Sequence, residues 1–270
     1  MIIVKGYGQM CNNWLQYAHA YAWGRENGVR VVSMRFSYKY RYFRISELPV
    51  SNPLTYLAAK LLIKSRAVKC LWLQEPYMVT ADVLRQLRTS PLIAIDGWNF
   101  RHPELLLKYR GELLSLFAFR PGAVASKARW LGSLPRADIR LGLHIRRGDY
   151  ARWNGGAYFF TDGEYARAVS EFCRLHPGKS VQVLVATNDP KTDFGLLRRE
   201  GGAAGVFPIG GNPGEDLYAL SECDCIIGPK STFSLVAAFY RDVPLCWMHK
   251  GMGQVSEASF GRFADLFMSV

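Results

Sequence analysis

The chain has 270 residues, 49% of them apolar, and a formal net charge of +12, enough apolar material for a substantial core and a length that suits two α/β lobes better than one unit. Residues 1–138 hold 20 basic and 8 acidic side chains while residues 139–270 hold 14 of each, so the whole excess lies in the first half; this fits either an anionic partner there or a generally basic, soluble surface. No apolar run approaches the roughly 20 residues of a membrane span, and the opening MIIVKGYG reads as a strand entering a glycine turn rather than as a signal peptide, so a cytoplasmic protein is expected.

Short β-branched runs alternate with helical patterns, as in parallel α/β layers. In the first half, strands are predicted at Ile2–Lys5, Arg30–Met34 and Leu92–Asp96. Trp14, Leu15, Ala18, Tyr21 and Ala22 recur at helical spacing and are stopped by Asn27-Gly28, and two further helices are predicted at Leu54–Ser65 and Thr80–Arg88. Gly132–Asp138 reads as the boundary, giving lobes 1–135 and 136–270. Beyond it, strands are predicted at Arg140–Ile145, Val181–Ala186, Ala204–Phe207, Cys225–Gly228 and Pro244–Trp247. Helices are predicted at Asp162–Leu175, Lys191–Glu200, Pro213–Ser221, Thr232–Tyr240 and Glu257–Met268, the last returning to the first lobe. This is a Rossmann-type series, with ligands expected at the carboxyl ends of its strands. The six cysteines form no C-x-x-C pair, so free thiols are expected and no zinc site.

Four segments carry candidate chemistry. In Leu143-His144-Ile145-Arg146-Arg147-Gly148-Asp149-Tyr150, charges emerge at a strand's end, and alternation sends Arg146 and Arg147 to opposite faces. One guanidinium can fork onto a diphosphate; an ion pair to Asp149 is the plainer use. In Thr187-Asn188-Asp189-Pro190, Pro190 is placed at a helix start, and Asp189 either caps that helix or accepts from a guanine edge. Glu215-Asp216-Leu217-Tyr218 precedes a strand ending at Gly228 and then Ser231-Thr232-Phe233-Ser234, a helix start that suits phosphate or has Ser231 as an ordinary cap. Finally, Gly6, Gly8, Gln9 and Asn13 form a glycine loop that is neither a dinucleotide fingerprint nor a P-loop.

Taken in order, H-x-R-R-G-D-Y at 144–150, E-D-L-Y at 215–218 and S-T-F-S at 231–234 resemble the fucosyltransferase superfamily, and within it the α-1,2 branch. The resemblance covers residues 140–240 well, residues 1–28 weakly and residues 30–135 not at all. It implies a GT-B-like α/β fold of two Rossmann-type lobes with a cleft between them, and inverting transfer of L-fucose from GDP-fucose to a glycan hydroxyl. Arg146 would hold the diphosphate, with Arg147 beside it. His144 with Asp189 would contact the guanosine, Ser231, Thr232 and Ser234 would bind phosphate, Asn188 and Phe233 would belong to the same donor site, and Gly6, Gly8, Gln9 and Asn13 would line the acceptor side of the cleft. The first loop departs from the branch's usual G-N-Q. The position of the α-1,6 branch's proposed base glutamate is here Asn154, so Asp149 is the candidate base, with Asp162 and Glu164 as alternatives.

With no D-x-D in the chain, no metal or other cofactor is expected. The acceptor would be an oligosaccharide or lipid-linked glycan. The aromatic and basic run 35–44 and the amphipathic Lys60–Arg66 suit either contact with the inner face of a membrane or a basic outer face over an apolar one. Transfer of another sugar from its GDP donor and an inactive nucleotide-sugar-binding protein are the near alternatives. A nucleic-acid module is distant, because the charge accompanies no such motif.

Overall fold

The computed structural model describes residues Met1–Ser269, in two compact units that divide between Ala123 and Val124, a dozen residues before the expected boundary.

The N-terminal unit contains β1 (Ile2–Val4), α1 (Met10–Glu26), β2 (Val31–Ser33), α2 (Pro53–Lys64), β3 (Cys70–Trp72), α3 (Ala81–Thr89), β4 (Ile93–Asp96), α4 (Pro103–Lys108) and α5 (Arg110–Leu116). Its four strands are all parallel, in the order β2-β1-β4-β3. β1 and β4 are buried along their whole length, as central parallel strands must be. α1 is buried nearly all round: Trp14 packs its ring 5.1 Å from Phe117 and Tyr17 packs 6.4 Å from Phe36. α2 is the opposite case, with only Ala59 buried. The strand β3 and the helices α4 and α5 were not expected from the sequence.

The helix α6 (Pro121–Ser133) spans the division. The C-terminal unit continues with β5 (Ile139–Ile145), α7 (Asp162–Leu175), β6 (Val181–Thr187), α8 (Phe194–Gly201), β7 (Gly205–Pro208), α9 (Pro213–Ser221), β8 (Cys225–Pro229), α10 (Thr232–Arg241), β9 (Leu245–Met248), β10 (Phe260–Gly261) and α11 (Phe263–Leu266). The sheet order is β10-β9-β8-β5-β6-β7, parallel except for β10. Its core joins Leu141, Leu143 and Ile145 of β5 to Tyr165, Val169 and Phe172 of α7.

Two expectations need correction here. Residues 257–268 do not form one helix: Phe260–Gly261 pair with β9, and only Phe263–Leu266 are α-helical. Phe263 still packs inward, lying 4.8 Å from Phe239 and stacking 5.2 Å from Phe267. α8 begins at Phe194, capped by the Asp193 carboxylate on Leu196 N–H at 2.8 Å, so Pro190 does not open it.

Candidate functional site

β5 lies between β6 and β8, so the segments that follow these three strands meet at their shared carboxyl edge. The turn after β5 depends on Gly148, whose φ of +72° is a conformation side chains rarely tolerate. Across the edge, Asn188 clamps the same turn: its Oδ1 accepts from Arg147 N–H at 2.8 Å and its Nδ2 donates to Arg147 O at 3.2 Å. The Tyr150 hydroxyl ties the turn to the other neighbour by donating to Lys230 O at 3.3 Å.

The alternation expected of the two arginines is present, and it assigns them different partners. Arg147 points inward and is 6% exposed. Its Nη2 donates to Asp162 Oδ1 at 2.6 Å, its Nη1 to Asp189 Oδ2 at 3.0 Å, and its Nε to Phe160 O at 3.2 Å. Burial alone would lower its pKa, but the two carboxylates more than offset that and raise it. Arg146 is part exposed and bonds Asp149 Oδ1 at 2.8 Å, so Asp149 pairs with Arg146 and not with Arg147. The second carboxylate oxygen of Asp189 accepts from Lys191 N–H at 2.9 Å. These two bonds hold the Asp189 carboxyl below its ordinary range, the backbone bond being the larger cause. Asp189 therefore braces the buried arginine and a local turn, in place of the helix cap.

His144, near the end of β5, is buried with its ring 5.1 Å from that of Phe233. Burial, reinforced by Arg146, lowers its pKa to about 3, so it is neutral at ordinary pH. Its Nδ1 has no hydrogen-bond partner among the described residues. Gly228 of β8 makes this approach possible, because a Cβ there would sit 2.9 Å from both Cβ and O of His144.

The start of α10 stands beside His144. Ser231 is its N-cap, accepting from Phe233 N–H at 3.2 Å. Ser234 is fully buried; its hydroxyl donates to Ser231 O at 3.1 Å and accepts from Trp247 Nε1 at 3.4 Å. Its side chain thus braces the helix start. Asp216, on α9, is pushed up to about 6 by burial, although Gly211 N–H donates to it at 3.0 Å.

In the N-terminal unit the glycine loop leads from β1 into α1. Asn13 is buried and donates to Gly8 O at 3.0 Å and to Gln9 O at 2.8 Å, fixing the loop to the helix, while Gln9 is exposed. Asn13 is therefore a brace for this loop. Sequence reasoning passed over two other features: Trp153, 62% exposed after the Arg146 turn, and the Trp98–Arg101 pair after β4, where Arg101 lies 4.2 Å over the Trp98 ring. An aromatic and a cation directly beyond an apolar run were the available signal.

Among the described residues, no three His, Cys, Asp or Glu side chains are grouped to hold a metal ion. No family model and no curated protein matches the chain. Solved structures do. A mutant of Arabidopsis thaliana FUT1 in complex with GDP is 15% identical, with a TM-score of 0.64 over 97% of this chain and 73% of its own. The NodZ α-1,6-fucosyltransferase soaked with GDP-fucose, a protein also solved from Bradyrhizobium, is 14% identical, with a TM-score of 0.56 over 94% of this chain and 98% of its own. POFUT1 in complex with GDP is 11% identical, with a TM-score of 0.55 over 90% and 94%. The chain has the fold of these fucosyltransferases. At such identities the likeness concerns architecture, and the chemistry rests on the side chains described above.

Proposed function

We propose that the chain is a glycosyltransferase that moves L-fucose from GDP-fucose to a glycan hydroxyl with inversion, of α-1,2 type and without a metal. The observation that carries this reading is the division of labour at the end of β5. Arg147 is consumed by Asp162 and Asp189, whereas Arg146 is part exposed with a single carboxylate partner, on a turn that the Tyr150 hydroxyl ties to Lys230 just ahead of α10. A part-exposed guanidinium and the N-terminus of a ten-residue helix are two sources of positive charge for a leaving diphosphate. His144, neutral and packed against Phe233 with the rings tilted, offers Nδ1 to a nucleobase or ribose.

In the step itself the acceptor oxygen bonds to the anomeric carbon of fucose. The bond from that carbon to the β-phosphate oxygen breaks, its electron pair leaves with GDP, and the hydroxyl proton passes to a base. Asp149 suits that last role better than the alternatives. Asp162 gives both oxygens to Arg147, and Glu164 is held by Thr161 and Lys250, whereas the exposed Asp149 carboxylate is paired, among the described residues, with Arg146 alone. An Arg146 that turns to the diphosphate releases Asp149 for the acceptor. The acceptor is assigned to the loops of the N-terminal unit and is an oligosaccharide or lipid-linked glycan.

Contact with an anionic membrane surface, at its cytoplasmic face, belongs to the same reading. No helix among the described residues is long and apolar enough to cross a membrane. α2, however, exposes Leu54 (77%), Leu57 (50%) and Leu61 (65%), and residues 48–74 carry Lys60, Lys64, Arg66 and Lys69 with no carboxylate. An exposed apolar row among cations is the pattern of a helix lying in a lipid interface. All six cysteines are free, which agrees with a reducing compartment.

Calorimetry with GDP and GDP-fucose in EDTA tests the donor assignment. Micromolar binding that is lost in Arg146→Ala supports it; absence of binding to folded wild type overturns it.

A further inference from the structure

The carboxyl edge of the N-terminal sheet holds a second polar cluster that the donor chemistry leaves unused. From β1 the chain passes to β2 on one side, while β4 lies against β1 on the other. Where strand order reverses in this way, the loops after the two strands part and form a crevice suited to ligands. Here those loops carry Tyr7 after β1, and Trp98 and Arg101 after β4.

Arg101 is part-buried, and the tip of its guanidinium is unusual. Neither Nη1 nor Nη2 is exposed to solvent, and neither has a hydrogen-bond partner among the described residues. No carboxylate pairs with it among the described residues: Asp96, the acid at this edge, is taken by Lys5 at 2.7 Å. The other ionisable groups facing it supply no negative charge. His19 is held well below its ordinary value by burial and by Arg101 itself, and its Nδ1 accepts from His102 N–H at 3.0 Å. Tyr7 is raised by burial and so stays a neutral phenol. Burial lowers Arg101 only to about 10, which leaves it cationic at neutral pH.

Guanidinium nitrogens without water or a hydrogen-bond acceptor are unfavourable, and the fold fixes these in place. Phe100, the preceding residue, is buried against Trp23 at 5.9 Å, and the following residue is anchored on His19. Trp98 lies 4.2 Å beneath the guanidinium and 6.1 Å from Tyr7, itself 37% exposed. Aromatic faces beside an unneutralised fork of N–H donors match a ring carrying an oxyanion.

We propose that Tyr7, Trp98 and Arg101 form an oxyanion-binding saccharide subsite that takes the carboxylate or phosphate of an acidic sugar. Resting on the transferase reading above, this makes the acceptor an acidic glycan; the binding itself does not depend on that reading.

The test uses the full chain titrated with glucuronate, glucose 1-phosphate, glucose and inorganic phosphate, with GDP binding followed in the same preparations. Glucuronate or glucose 1-phosphate should bind at least tenfold more tightly than glucose. Whichever is tighter identifies the anion's source, and equal binding supports a general oxyanion site. Arg101→Gln and Trp98→Ala should each weaken the acidic sugar at least tenfold while GDP binding is unchanged. Acidic sugars that fail to bind wild type able to bind GDP would overturn the proposal, as would Arg101→Gln or Trp98→Ala binding them normally. Inorganic phosphate binding as tightly as the sugar phosphate would overturn the saccharide platform. Acidic-sugar binding by a protein that ignores GDP would support the subsite and remove the transferase reading alone.

Discussion

Arg146 and Arg147 share one peptide bond yet stand in opposite surroundings: Arg147 is sealed between Asp162 and Asp189 at 2.6 and 3.0 Å, whereas Arg146 reaches outward to Asp149 at 2.8 Å. Removing one partner of a buried ion cluster leaves the others uncompensated, so Arg147→Ala should lower unfolding free energy by about 3–5 kcal/mol. Arg146→Ala should stay within about 0.5 kcal/mol of wild type and lose GDP affinity at least tenfold. Urea denaturation beside calorimetry separates the two, and equal destabilisation by both variants would contradict this division of roles.

His144 makes stability depend on acidity in a defined direction. Its folded value near 3 lies below the ordinary 6.5, so as pH falls the unfolded chain takes up a proton that the folded chain refuses. The stability is complete above pH 6.5 and drains away between 6.5 and 3, at a slope of up to about 1.4 kcal/mol per pH unit. His144→Phe, which keeps an aromatic ring beside Phe233, should flatten that slope. Melting temperatures at pH 7.5 and pH 5 give the comparison; an unchanged difference would count against the assignment.

Asp216 acts in the reverse sense. Its carboxyl, raised to about 6 from 3.8, binds a proton more readily folded than unfolded, so its contribution is intact below pH 3.8 and is lost as pH rises through 6. Asp216→Asn keeps an oxygen for Gly211 N–H and removes the charge. The variant should gain on the order of 1–2 kcal/mol at pH 8 and little at pH 4, as read by denaturant midpoints at the two pH values.

The leucine row of α2 should carry membrane affinity without carrying stability. Replacing Leu54, Leu57 and Leu61 together by Ser leaves the core untouched, since only Ala59 of that helix is buried. Binding to vesicles containing about one-third phosphatidylserine should fall at least tenfold while the melting temperature holds. Vesicle binding by the triple variant equal to wild type would remove the proposed contact.

How much of this was legible in the sequence depended on how strictly local pattern is tied to burial. β5, β6 and β8 are buried along most of their length and read as mainly apolar runs that end in polar residues, so the segments that follow them were expected at one edge. β3 has only three residues, none fully buried, and gives no such run. Residues 257–268 do not form the single helix expected, because Phe260 and Gly261 pair with β9, a partner that the local pattern does not reveal. Within the site, sequence could put Arg147 and Asp189 each at the carboxyl end of a strand. It could not show that they neutralise each other, because Asp162 joins them from a different helix. Arg101 escaped notice for a related reason: its importance lies in a partner it lacks, and that is invisible until its surroundings are built.

The placement of β1 at the centre of its sheet has a consequence for how the molecule is made. Ile2, Ile3 and Val4 pair with β2 and also with Ile93, Ala94 and Ile95 of β4. On the ribosome, about ninety residues must follow β1 before its second edge is closed. In that interval three aliphatic side chains and an unpaired strand edge are open to other nascent chains. Early sequestration of this segment, by α1 folding over it or by a holding chaperone, would therefore affect the yield of active protein as much as any property of the finished fold.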